Sequence, residues 1–131
     1  MVNEKFLHSE ITSKILQAFY TVYNHFHFGY PKSIYENAML IEFRKFGLEC
    51  QQNQKEKIYY DKQIVGEFEA DIIINNSIAL NIETKKTVFK DDELKVYYFI
   101  RSSRFEVGLF LNFGKNPYHK RNDAKEFKTW R

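Results

Sequence analysis

Apolar residues recur at helical spacing through the first long stretch of the chain. Ile11, Ile15, Phe19, Val22 and Phe26 form one stripe, widened by Leu16 and Tyr23. That spacing predicts an amphipathic helix from about Ser9 to Phe26, packed on a sheet. His25 to Gly29 end it. His25 and His27 stand two positions apart, so on a helix they point away from each other and read as helix-end residues rather than a metal pair. Gly29 and Pro31 make a turn, and Pro31 suits the opening of a second helix running to about Phe46, with Gly47 as its stop. Ile34, Ala38, Ile41 and Lys45 follow one face of it, and Lys32 and Glu36 share another.

From about Cys50 the period changes. Lys57 to Tyr60 reads as a strand, Asp61-Lys62 as a turn and Gln63 to Ile74 as a long strand. Asn75-Asn76-Ser77 makes a second turn, and Ile78 to Lys85 returns. Asp91 to Ser102 reads as a helix whose acidic start and Arg101 near its end suit the helix dipole. Val107 to Phe113 is an apolar strand suited to burial on both faces. The order helix, helix, strand, strand, strand, helix, strand predicts an α/β fold, a mixed sheet covered by helices.

Composition narrows the class. A chain of 131 residues points to one domain over 1–131 with one core. At 44% hydrophobic and 18% aromatic it is globular rather than disordered, and most of its 13 Phe and 9 Tyr belong in the core. A single cysteine, Cys50, excludes an intrachain disulfide and reads as a small buried residue. No apolar run approaches the ~20 residues of a membrane span. The opening MVNEKFLHSE lacks the apolar centre of a signal peptide, so a reducing, cytoplasmic setting is expected. The net charge of +3 permits a nucleic-acid partner without demanding one. Basic residues gather from Lys115 to Arg131, including Lys120 and Arg121, as a solvated tail or a phosphate-facing one.

Candidate chemistry concentrates in EADIIINNSIALNIETKK. If the turn centres on Asn76, Ile74 faces Ile78, and Ile72, Ile74, Ile78, Leu80 and Ile82 share one face. Asp71, Ile73, Ala79, Asn81, Glu83 and Lys85 then share the other. Asp71 and Glu83 become diagonal neighbours, with Cα atoms roughly 7–8 Å apart. A two-residue turn would separate them, but the even register keeps the isoleucines together. Glu69, Asp71 and Glu83 crowd negative charge that Lys85 only partly offsets, a setting that favours a cation. Oxygen donors without sulfur suit Mg²⁺ or Mn²⁺. Such an ion polarises a phosphate and helps generate hydroxide, while a lysine steers the attacking water or stabilises developing charge. The other reading is a solvent-facing hairpin side with ordinary charges, against which Ile73 and Ala79 on the same face weigh.

Asp71-x11-Glu83-x-Lys85 resembles the PD-(D/E)XK nuclease motif, and the chain is similar to the small GxxExxY proteins of that superfamily. The resemblance takes in the first helix, GYPKSIYENA, GEFEADIII, ALNIETKK and VGLFLNFG. It implies a restriction-endonuclease-like α/β/α sandwich with the acid-bearing strands at the sheet centre. It also implies metal binding by Asp71, Glu83 and the backbone carbonyl of Thr84, with Lys85 as catalytic lysine. Gly29 and Tyr35 match the name-giving motif, but Lys32 stands where its glutamate belongs. Glu36, one turn later, is the candidate substitute ligand; its alternative is an ordinary helix glutamate. Where related nucleases carry Gln-x3-Tyr, this chain has Lys95 and Phe99.

The expected function is metal-dependent hydrolysis of phosphodiester bonds in DNA, or less readily RNA, with Lys32, Lys95, Lys120 and Arg121 as backbone contacts. The alternative is a catalytically degenerate nuclease fold that binds nucleic acid or a protein partner without cleavage, which Lys32 favours. A third is an interaction domain with an aromatic homodimer face.

Overall fold

The computed structural model describes residues 8–123. Its elements are α1 (Ser9–Phe26), α2 (Lys32–Lys45), β1 (Cys50–Tyr60), β2 (Gln63–Ile74), β3 (Ile78–Glu83), α3 (Lys90–Arg101), β4 (Val107–Phe113) and β5 (Pro117–Asp123). The sheet runs β1-β2-β3-β4-β5, antiparallel except for the β3–β4 pair. Helix α3 lies between β3 and β4 in the chain, as a parallel crossover requires. β3 is central, with β2 beside it.

Two apolar clusters, one on each face of the sheet, make the layers in place of the single core expected from length. On one face, α1 and α2 bury Ile15, Phe19, Tyr35, Met39 and Phe43 against Ile72, Ile74, Leu80 and Ile82. On the other, α3 buries Val96, Phe99 and Ile100 against Ile73, Ala79 and Phe110. α3 lies close to the sheet because β4 carries Gly108: a Cβ there would stand 2.8 Å from Val96 Cγ2. The hairpin register is Ile74 opposite Ile78 and Ile72 opposite Leu80, as the isoleucine pattern predicts. Asn75 and Asn76 make its turn at φ 49° and 54°, left-handed backbone that asparagine tolerates.

Three further expectations change. The strand expected at Lys57 begins at Cys50, because β1 is a mostly exposed edge whose polar run carries no apolar alternation. α2 buries Tyr35, Met39, Leu40 and Phe43, not the Ile34–Ile41 face, where both isoleucines are exposed. The element order gains a fifth strand: the first part of the expected basic tail is β5, paired along β4. Lys125, Lys128 and Arg131 lie outside the described residues. Among the described residues, no helix is long and apolar enough to cross a membrane.

Candidate functional site

Asp71 occupies the point where β2 and β3 part. The paired register stops at Ile72–Leu80, and beyond it the Asp71 carboxylate takes the place of a ladder partner. Its Oδ2 accepts the Ile82 backbone N–H at 2.6 Å and the Asn81 side-chain amide at 3.0 Å. The side-chain alternation also turns over here. Phe68 and Ala70 pack toward α3, whereas Ile72 and Ile74 pack toward α1 and α2. Asp71 therefore lies between the strands rather than squarely on the face expected from strict alternation, and it is buried. A carboxylate there is tolerable because each oxygen has a hydrogen-bond donor.

The other donor is Lys32, from the first turn of α2. Its Nζ lies 3.0 Å from Asp71 Oδ1, 3.9 Å from Glu36 Oε1 and 4.0 Å from Glu83 Oε1. Burial by itself would lower the pKa of this ammonium. The charge and hydrogen bond of Asp71, with Glu83 and Glu36, outweigh it and leave the pKa raised. Glu36 is raised above the ordinary carboxylate value, first by burial and then by repulsion from Asp71. One lysine thus holds three carboxylates that would otherwise repel one another.

Glu83 ends β3 and faces the same cleft of about 390 Å³. Lys95 of α3 reaches it from the opposite side, with Nζ 3.8 Å from Oε1. Lys32 and Lys95 are accordingly engaged with the acids. Lys85 is not brought to them: its ammonium lies 3.9 Å from Asp92 of α3, and it lines a separate depression with Thr84. Lys120 is exposed on β5 opposite Phe110, and Arg121 pairs with Asp123 at 3.0 Å. Both stand on the edge strand, with β4 between them and the acid-bearing β3.

Asn112 escaped the sequence reading. From within β4 its Oδ1 accepts the Lys85 N–H at 2.8 Å and its Nδ2 donates to the Lys85 carbonyl at 2.9 Å. The paired bonds fix the backbone of the chain leaving β3. The available signal was a lone amide in the otherwise apolar VGLFLNF. The motif residue Tyr35 acts similarly on the α1–α2 connection: its hydroxyl donates to the His27 carbonyl at 2.6 Å and accepts the Tyr30 N–H at 3.2 Å. Its ring stacks on Phe113.

The donor chemistry of the cleft fits a hard cation. Asp71, Glu83 and Glu36 supply carboxylates around one point, and Asn81 adds a buried Oδ1 with no hydrogen-bond partner. The Lys32 ammonium stands at that point. Among the described residues, no three Asp, Glu, His or Cys side chains converge closely enough to hold a metal ion as they stand.

A family model described as PD-(D/E)XK nuclease superfamily matches residues 9–125. The match is at the level of the superfamily. No curated protein matches the chain. Among solved structures, one titled "Crystal structure of SSO0001" is similar with a TM-score of 0.53 and 12% identity, over 67% of this chain and 47% of that one. This chain thus spans about half the length of that structure. At such identity the likeness concerns the fold, and it agrees with a restriction-endonuclease-like α/β arrangement.

Proposed function

The chain belongs to the PD-(D/E)XK nuclease superfamily, and from that premise we propose that it hydrolyses phosphodiester bonds of nucleic acid, DNA before RNA, with Mg²⁺ or Mn²⁺. Within the superfamily its kinship is with the GxxExxY proteins, in the variant form Gly29-x-x-Lys32-x-x-Tyr35. One observation carries the proposal: Asp71 and Glu83, from adjacent strands at the sheet centre, meet at one cation, the Lys32 ammonium.

Asp71 and Glu83 would hold the metal, joined by the Thr84 carbonyl and by Glu36 directly or through water. When bound, such an ion supplies Lewis acidity at the phosphate and lowers the pKa of a bound water. Ile82 N–H and the Asn81 amide keep the Asp71 carboxylate aimed once Lys32 leaves. Lys32 sits on a flexible stem and its side chain is 37% exposed, so it can withdraw to solvent. Lys85, its backbone gripped by Asn112 just beyond Glu83, would supply a cation to the phosphate and its developing charge on leaving Asp92. Lys95 and the withdrawn Lys32 contact the nucleic-acid backbone.

Lys32 also favours a second reading, a metal-free protein of nuclease fold that binds nucleic acid or a protein partner without cutting. The two separate on purified protein incubated with plasmid and single-stranded DNA in Mg²⁺, Mn²⁺ or chelator. The nuclease reading expects metal-dependent cleavage that Asp71→Ala and Lys85→Ala abolish. DNA binding without cleavage, unaffected by Asp71→Ala, would establish the second. Isothermal titration with Mn²⁺ should show tighter binding to Lys32→Met than to wild type, because the competing ammonium is gone.

A further inference from the structure

The depression that Lys85 lines has a character of its own. It measures about 610 Å³, within the range of about 300–1,000 Å³ usual for ligand pockets. Three segments form it: the α1–α2 connection with Phe28 and Tyr30, the exit of β3 with Lys85 and Lys86, and the end of β4 with Lys115. Its lining holds three lysines and no carboxylate. It also displays two large aromatic rings to water, Phe28 at 54% and Tyr30 at 48% exposure.

Each segment is fixed by a buried polar side chain. Tyr35 ties the first through the His27 carbonyl and the Tyr30 N–H. Asn112 ties the second through both backbone groups of Lys85. Tyr23 ties the third, its hydroxyl lying 2.9 Å from the Gly114 carbonyl and 2.5 Å from that of Lys115. Buried polar groups are satisfied here by positioning loop backbone, so the pocket is formed before any ligand arrives.

Cationic walls with aromatic rings held at the rim match one ligand chemistry, a phosphate attached to a flat base. Glu83 faces the acidic cleft and the next residue, Thr84, faces this pocket. A strand with a base seated here would carry its backbone past Lys85 toward Asp71 and Glu83. We infer that this pocket receives an unpaired nucleotide, its base against Phe28 and Tyr30 and its phosphate on Lys86 and Lys115, so that single-stranded or frayed nucleic acid is the preferred substrate. A base inside a duplex is already stacked on both sides and cannot enter. The inference deepens the nuclease reading and rests on it for what happens to the strand after binding.

Fluorescence anisotropy in chelator, where nothing is cut, tests it with a short oligothymidylate and a blunt duplex of equal length. Wild type should prefer the single strand. Phe28→Ala with Tyr30→Ala should weaken single-strand binding by about 5-fold to 100-fold while leaving duplex binding unchanged. Phe28→Ala alone and Lys86→Glu, both at exposed side chains, should each show a smaller loss in the same direction with an unaltered melting temperature. Equal affinity of wild type for both probes, or variants that lose neither or lose both equally, overturns the inference whether or not the protein cuts DNA. A selective loss in a protein that never cleaves supports the nucleotide pocket and sinks the nuclease reading alone.

Discussion

Two regions meet at the exit of β3 with opposite charge arrangements. On the Glu83 side, three carboxylates surround the Lys32 ammonium and Lys95 covers Glu83 from α3. On the Thr84 side, Lys85, Lys86 and Lys115 line a depression that contains no acid. The first region already holds a cation among its acids, and a metal entering among Glu36, Asp71 and Glu83 would have to displace the Lys32 ammonium. The lining of the second holds no acid, Lys85 reaching outside it to Asp92 at 3.9 Å, so an anion entering beside Lys86 and Lys115 displaces no lining carboxylate. On the proposed reading, the difference separates two requirements of phosphodiester chemistry, holding a cation and holding a strand, onto neighbouring residues of one chain.

Three substitutions break or sharpen the contrast. The largest effect is expected from Asp71→Ala, which orphans the Ile82 N–H and the Asn81 amide and strips Lys32 of its nearest partner. A loss of about 2–3 kcal/mol is expected in urea unfolding, between the cost of an orphaned buried group and that of a broken buried ion pair. A loss near zero would mean that Asp71 does not hold the strands where they part. Gly114→Ala should come next and disturb only the lysine side. Its Cβ would stand 2.7 Å from both the Lys85 carbonyl and Asn112 Nδ2, so the grip on Lys85 must loosen, at about 1–2 kcal/mol. Gly66→Ala, with nothing within 4 Å, is the control.

The smallest effect should carry the opposite sign. Because burial and Asp71 raise the Glu36 pKa above its ordinary 4.5, the fold favours the protonated form. The stability linked to this group is present below pH 4.5 and lost as pH rises through the raised folded value. Glu36→Gln should therefore raise the melting temperature at neutral pH and lose that advantage below pH 4.5. An equal gain at both pH values would show that the crowding of the carboxylates is not its source.

Elements whose apolar residues form one clean stripe or a continuous run were the readable ones. The stripe of Ile11, Ile15, Phe19 and Val22 marked α1 closely, and keeping the isoleucines together set the turn on Asn76. Edge strands were harder: the first half of β1 and all of β5 are polar, and their regularity comes from pairing with a neighbour rather than from burial. On α2 the apolar residues do not form one clean stripe, and tertiary packing chose Tyr35 and Phe43 over Ile34 and Ile41. Within the candidate site, the oxygen-bearing types and their strands could be read. The opening of the ladder at Asp71 could not, because local alternation assumes unbroken pairing.

By itself, the sequence determined which residue types stand where the central strands meet, since residue identity and the hydrophobic period need no partner to be read. It placed Asp71 and Glu83 on adjacent strands and put Lys32 at the start of a helix. Only the tertiary structure decided that Lys32 enters between those acids, that Lys85 turns instead toward Asp92, and that Tyr23, Tyr35 and Asn112 hold three separate segments around one pocket. Each of these depends on the direction and reach of side chains from elements distant in the chain. Spacing along one strand carries no information about that.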